Sequence, residues 1–99
     1  MKIDKTLDQN TLTISLEGRL DTGSAPELED VLSSSLKDVK TLVLDMEKLD
    51  YLSSAGLRVL LSAHKRMSGQ AGTMTLRNVG ETVKDVFDIT GFTDFLNIE

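Results

Sequence analysis

Two adjacent serines, Ser53 and Ser54, carry the hydroxyl groups best placed for chemistry in this chain. Apolar residues follow them at the spacing of one helix face: Leu57, Leu60, Leu61 and Met67. A serine at the start of a helix is first a cap for the free amide groups, a contribution of about 1 kcal/mol. The same amides and the helix dipole also accommodate a phosphate. The sequence therefore predicts a capping serine or a phosphorylation site at the start of this helix.

A serine near a histidine would also suit nucleophilic catalysis, and His64 is the only histidine. If one helix holds both Ser54 and His64, ten residues separate them by about 15 Å along the helix axis. A general base must lie about 3 Å from the proton that it removes, and the chain has no Gly-x-Ser-x-Gly motif. We therefore expect no catalytic residue and no enzyme activity, and we place His64 at the margin of the apolar face.

Three carboxylates, Asp21, Asp45 and Asp50, would suit magnesium if they met at one edge of a sheet. No glycine-rich phosphate-binding loop accompanies them. We therefore expect neither a metal site nor a cofactor. Asp45 is expected to end a strand and to accept hydrogen bonds from loop amides.

Two strands are predicted at the start of the chain. Alternating apolar and polar residues predict a half-buried strand over 11–17. A weaker strand is expected over 2–7. Gln9 and Asn10 lie between the two strands and predict a tight hairpin turn in which Asn10 takes the positive φ.

Helices and strands alternate along the rest of the chain. Ser24 and Pro26 predict the start of a helix over 25–37. An apolar run without alternation favours a central strand over 41–46 that is covered on both faces, with a loop over 47–52. The remaining predicted elements are a helix from Ser53-Ser54 to Gly69, a strand over 73–77, a helix over 81–90 and a short strand over 95–98.

The order β-β-α-β-α-β-α(-β) predicts an α/β fold with a mixed sheet of four to five strands and about three packed helices. Partners of such sheets bind at the carboxyl ends of the strands, so the segment 45–54 is the expected functional edge. Met46, Met67 and Met74 are expected to fill the core.

Composition limits the classes of partner. The chain has 99 residues, a net charge of -5 and no cysteine, so we expect one domain over 1–99 without disulfides. A net negative charge disfavours nucleic acid and anionic membrane surfaces. No apolar run is long enough for a membrane span, and the N-terminus lacks the apolar region of a signal peptide. We therefore expect a cytoplasmic protein, and a monomer.

The segment 44–57, LDMEKLDYLSSAGL, resembles the signature of STAS domains, the family of bacterial anti-sigma factor antagonists. Two further blocks extend the resemblance along nearly the whole chain. GRLD at 18–21, ahead of APEL at 25–28, resembles the family's first block. TGF at 90–92, followed by Phe95, resembles its C-terminal block.

The resemblance implies a phosphorylation-controlled binding protein. Unphosphorylated members bind an anti-sigma factor, often a serine kinase, and so release a sigma factor. Phosphorylation of the serine at the helix start ends the binding, and a phosphatase restores it. Position in the motif implies Ser54 as the acceptor, with Ser53 as the alternative. The implied partner-binding residues are Asp21, Tyr51, Leu52, Ser53, Ser54, Ala55, Gly56 and Arg58. Among these we expect a buried Leu52 and a half-exposed Tyr51.

Ser53 departs from the family pattern, which has an acidic residue before the acceptor. This leaves open weaker recognition by the kinase, a different class of partner, or loss of the phosphorylation. The alternative functions are a non-switching STAS scaffold and a STAS domain that binds a small molecule or a nucleotide.

Overall fold

The computed structural model describes all residues from 1 to 99. Its elements in chain order are β1 (Lys2–Asp8), β2 (Thr11–Leu20), α1 (Ala25–Ser35), β3 (Thr41–Leu52), α2 (Ser54–Gly69), β4 (Thr73–Arg77), α3 (Glu81–Thr90), a 3-10 turn (Phe92–Asp94) and β5 (Asn97–Ile98). The predicted α/β fold and its order of strands and helices are confirmed. None of the helices is long and apolar enough to cross a membrane.

The five strands form one mixed sheet in the order β1-β2-β3-β4-β5. β1 and β2 are antiparallel, whereas the other three neighbouring pairs are parallel. Parallel neighbours need a long crossover rather than a tight turn, and α1, α2 and α3 each lie in one of these crossovers. The carboxyl ends of β2, β3 and β4 therefore lie along the same edge of the sheet.

The hairpin between β1 and β2 turns at Gln9 and Asn10, as predicted. The positive φ, 56°, belongs to Gln9 and not to Asn10, so this part of the prediction is wrong. The Asn10 carbonyl accepts hydrogen bonds from the amides of Lys40 and Thr41 at 2.9 and 3.1 Å. These bonds fix the orientation of Asn10 from outside the hairpin, and such long-range contacts cannot be predicted from the sequence of the turn.

The hydrophobic core lies on one face of the sheet and forms a single cluster of 24 buried residues from the strands and helices. In β3, the segment from Thr41 to Met46 alternates between half-buried and buried positions. The expectation of a strand covered on both faces is therefore wrong. Val43 lies on the face opposite the core, where a β-branched side chain packs well without full burial.

β3 continues through Leu52, so the predicted loop over 47–52 is wrong. Two irregularities in the pairing of β2 with β3 explain the error. From Ser15 to Glu17, and again from Gly18 to Arg19, β3 has one more residue than β2. Each bulge breaks the alternation, so the buried residues that follow Met46 come three apart and do not show the period of a strand.

The helices differ from the predictions only at their ends. α1 ends at Ser35, two residues early, and the 3-10 turn shortens the last strand to Asn97–Ile98. α3 ends at Thr90 and is followed by Gly91, which has a φ of 81°. The α2 face towards the core includes Leu57, Leu60 and Met67, while Leu61 is half-buried. The expected burial of Met46, Met67 and Met74 is confirmed.

Candidate functional site

The carboxyl ends of β2 and β3 bring the loop after β2 next to the start of α2. Leu20 and Leu52 are register partners, and the Ser53 amide donates a hydrogen bond to the Leu20 carbonyl at 2.9 Å. We call this region the α2 mouth and define it as residues 19–24 and 51–58. It contains all of the partner-binding residues that the sequence predicted.

The two serines at the α2 mouth have different environments. Ser53 is the N-cap residue, and its Oγ accepts a hydrogen bond from the Gly56 amide at 3.3 Å. Ser54 is the first residue of the helix and is exposed. Its hydroxyl has no hydrogen-bond partner within the chain. Of the two serines at the helix start, Ser53 therefore supplies the cap and Ser54 does not.

Gly56 allows α2 to begin directly against the end of the sheet. A Cβ at this position would lie 2.7 Å from Leu20 Cγ and 2.8 Å from Leu52 Cδ1. Leu20 and Leu52 are both buried, the latter as expected. Leu52 and Gly56 are therefore buried below the surface of the α2 mouth, whereas Ser54 and Arg58 are exposed on it.

The loop after β2 is organised around the Asp21 carboxylate. Asp21 Oδ1 accepts hydrogen bonds from the amides of Gly23 and Ser24, both at 3.0 Å. The Ser24 amide and then its hydroxyl are the main causes that hold the pKa of Asp21 below its ordinary value of 3.8. Ser24 occupies the N-cap position of α1 but makes no side-chain cap bond. Its hydroxyl instead lies 2.7 Å from the Arg19 carbonyl and accepts from the Asp21 amide at 2.9 Å.

Arg19 and Tyr51 form a cation–π pair across the two strands. They are register partners, and the guanidinium carbon lies 4.1 Å from the centroid of the Tyr51 ring. Arg19 Nε lies 3.7 Å from Asp21 Oδ2. Tyr51 is 39% exposed, in agreement with its expected half exposure. Sequence reasoning missed the pairing of Arg19 with Tyr51, because it depends on the bulged register of β2 against β3. It also missed the bonds of Ser24 within the loop, because its position predicted an ordinary cap.

The three carboxylates considered for magnesium do not form a metal site, since no group of three acidic or histidine side chains is arranged to hold an ion. Asp45 lies within β3 and does not end it. It accepts hydrogen bonds from the Glu47 amide and the Asn78 side chain, at 3.1 and 3.2 Å. Partial burial raises the pKa of Asp45, but these bonds and the neighbouring Arg77 outweigh it, so the pKa lies below 3.8.

His64 lies on the same helix as Ser54, ten residues further along. It is half-buried, and its ring centroid lies 5.2 Å from that of Phe95. Ten helical residues separate Ser54 from His64 by about 15 Å along the helix axis, so these two residues do not form a nucleophile–base pair.

A depression of about 240 Å³ lies outside the α2 mouth, against β1, β2 and β3. Its lining residues are Lys2, Asp4, Ser15, Leu16, Glu17, Asp45, Glu47 and Lys48. Only one of them is apolar, whereas pockets for small molecules are lined mainly by apolar and aromatic side chains. The mainly polar lining of this depression does not favour a nucleotide site.

Comparison with known proteins agrees with the resemblance. The sequence profile of the STAS domain family matches residues 2–99. A Bordetella bronchiseptica protein assigned as the anti-sigma factor antagonist BtrV is 36% identical over 93 residues, which cover 93% of this chain and 80% of the relative. The anti-sigma-B factor antagonist of Bacillus subtilis is 29% identical over 98 residues, covering 99% and 90% of the two chains. The structure of the Bacillus cell fate determinant SpoIIAA in its phosphorylated form matches with a TM-score of 0.78 at 22% identity, covering 99% and 91%.

Proposed function

Since the chain belongs to the STAS domain family, we propose that it is an anti-sigma factor antagonist controlled by phosphorylation of Ser54. The unphosphorylated protein binds an anti-sigma factor of the serine-kinase type through the α2 mouth. That kinase transfers a phosphoryl group to Ser54 and the complex dissociates. A phosphatase removes the phosphate and restores binding.

The exposed and unbonded hydroxyl of Ser54 is the observation that supports this proposal most strongly. A kinase needs access to the hydroxyl that it phosphorylates, and Ser54 offers it without breaking an existing hydrogen bond. The Ser53 hydroxyl already accepts from the Gly56 amide, so its modification would disturb the cap. These environments favour Ser54 over Ser53 as the acceptor.

The position of Ser54 also explains how a phosphate changes binding without unfolding the protein. Free amide groups and the helix dipole stabilise an anion at a helix start. Phosphoserine adds about -1.5 to -2 charges. Against a partner carboxylate about 5 Å away, at an effective dielectric constant of about 20, two charges cost up to about 7 kcal/mol before screening. A hundredfold loss of affinity needs about 2.7 kcal/mol, so a strongly screened phosphate is still sufficient.

Affinity capture from the native cells with wild type, Ser54→Ala and Ser54→Asp as baits tests the proposal. We expect wild type and Ser54→Ala to capture an anti-sigma factor and Ser54→Asp to lose it. Ser62→Asp is the matched control, since Ser62 is an exposed serine eight residues further along the same helix. It adds the same charge about 12 Å from Ser54, and its binding is expected to equal that of wild type.

Mass spectrometry of the intact protein from the same cells provides the second measurement. We expect one species with a single added phosphate in wild type and none in Ser54→Ala. Equal affinities of wild type and Ser54→Asp for the captured partner, together with a fully unmodified wild-type mass, would leave the non-switching scaffold as the function. A reproducible thermal shift with a nucleotide would instead support the ligand-binding alternative.

A further inference from the structure

The Arg19 side chain is held in place at the α2 mouth but keeps its hydrogen-bond donors free. We propose that Arg19, stacked on Tyr51, anchors the anti-sigma factor by binding one carboxylate of that partner. This inference rests on the proposed function, because it names a residue and a chemistry by which the same partner is recognised. Neither the family motif nor the choice of phosphorylated serine requires it.

The strand register places the anchor on the accessible side of the α2 mouth. Arg19 and Tyr51 are opposite each other in β2 and β3, directly before the buried pair Leu20 and Leu52. Since side chains alternate along a strand, the Arg19 and Tyr51 side chains point away from the core. The Arg19 side chain is 61% exposed, so another protein can reach the guanidinium.

Asp21 orients the guanidinium without saturating it. The separation of Arg19 Nε from Asp21 Oδ2 is 3.7 Å, which is too long for a hydrogen bond. Asp21 Oδ1 is occupied by the amides of Gly23 and Ser24, so the loop holds this carboxylate in place. A guanidinium has five N–H donors in a planar fork, and no side-chain hydrogen bond of the chain involves the Arg19 guanidinium. A carboxylate from outside the chain is the acceptor that matches this fork in a bidentate manner.

The stack makes Arg19 a stronger anchor than an ordinary surface arginine. The Tyr51 ring already restricts the side chain, so less rotamer entropy is lost when a partner binds. A cation–π contact strengthens when a partner removes water from it. Arginine and tyrosine are also the residue types enriched among the dominant contacts of protein interfaces. The guanidinium and the ring are expected to act as one unit.

Isothermal titration calorimetry with the purified anti-sigma factor that wild type captures tests the anchor. Arg19→Ala is expected to lower the affinity by at least about tenfold. Arg19→Lys is expected to restore only part of it, because an ammonium group neither stacks nor pairs in a bidentate manner. Lys65→Ala is the control: it removes an exposed cation on α2, about 16 Å along the helix from Ser54, and is expected to change the affinity by less than about twofold.

A charge exchange separates recognition from a structural role of Arg19. Arg19→Glu should abolish binding. The acidic residues of the partner are then changed to arginine one at a time, and one of these partner variants should bind Arg19→Glu but not wild type. The inference is overturned if Arg19→Ala binds with an affinity within about threefold of wild type. It is also overturned if no acidic-to-arginine variant of the partner restores binding to Arg19→Glu. A wild-type chain that binds no anti-sigma factor overturns the proposed function as well, and this result is visible before any variant is measured.

Discussion

Gly56→Ala is expected to destabilise the protein by forcing α2 away from the ends of β2 and β3. The new methyl carbon would lie 2.7 Å from Leu20 Cγ, 2.8 Å from Leu52 Cδ1 and 3.0 Å from Leu20 Cδ2. Leu52 Cδ1 is the end of a side chain and can rotate, but Leu20 Cγ is a branch point, so its movement displaces the whole isobutyl group. Leu20 is completely buried, so it cannot move out into solvent and has to displace other core side chains.

The expected size follows from two opposing contributions. Overpacking of a core costs about 1–3 kcal/mol. Alanine is favoured over glycine by up to about 1 kcal/mol in a helix interior, and Gly56 lies in the first turn of α2, where this advantage is smaller. The net loss in the free energy of unfolding is therefore about 1–2 kcal/mol, which corresponds to a decrease in Tm of about 5–15 °C.

Thermal unfolding followed by circular dichroism measures this change, with Gly69→Ala as the control. Gly69 is the last residue of α2, and a Cβ there would have no neighbouring atom within 4 Å. Its substitution is expected to leave the Tm unchanged or to raise it slightly. A Gly56→Ala protein with a Tm equal to or above that of wild type would show that α2 does not need the close approach on which the α2 mouth is built.

Three further perturbations test other parts of the structure. Ser53→Ala removes the cap and is expected to lower the free energy of unfolding by about 1 kcal/mol. Ser54→Ala removes a hydroxyl without a partner and should change the same quantity by less than about 0.5 kcal/mol. Chemical unfolding measures both, and the reverse order would contradict the assignment of the cap. Gly91→Ala places a side chain at a φ of 81°, with an expected loss of about 1 kcal/mol in the same assay, and an unchanged midpoint would argue against that backbone conformation. Because the pKa of Asp45 lies below 3.8 in the folded state, its charged form stabilises the fold above the unfolded-state pKa, and this stability is lost as the pH falls through the folded-state value. The urea midpoint should therefore fall less in Asp45→Asn than in wild type when the pH is lowered from about 5 to about 2, and parallel pH profiles would refute this reasoning.

The elements of the fold could be predicted because local patterns determine them. Apolar alternation in β2 and the helical spacing after Ser54 are strong enough to be read without any tertiary information. The second half of β3 could not be predicted in this way. The two bulges arise from the way β3 pairs with β2 and leave no signal in the β3 sequence alone. They interrupt the alternation of buried and exposed residues, so this half of β3 lacks the sequence pattern of a strand.

The same distinction applies to the site. The residue types of the α2 mouth and their place at the carboxyl ends of the strands follow from the motif and from sheet topology. Which of the two serines caps α2 could not be predicted, because a helix boundary cannot be placed within one residue from sequence. The partners of Arg19 depend on a register that the bulges shift, so no local signal links it to Tyr51.

The placement of the cap on Ser53 has a consequence for regulation that reaches beyond the two serines. If Ser54 were the cap, a phosphate there would disrupt the hydrogen bond that begins the helix, and the switch would change stability and binding together. In the structure, the bond from the Gly56 amide to Ser53 and the bond from the Ser53 amide to Leu20 fix the helix start independently of Ser54. A charge added to Ser54 therefore acts on the surface through which we propose that the partner binds, while the contacts beneath that surface keep α2 docked on the sheet. The residue that caps the helix and the residue proposed to be modified are adjacent but distinct, so the proposed phosphorylation can be made and reversed while the protein stays folded.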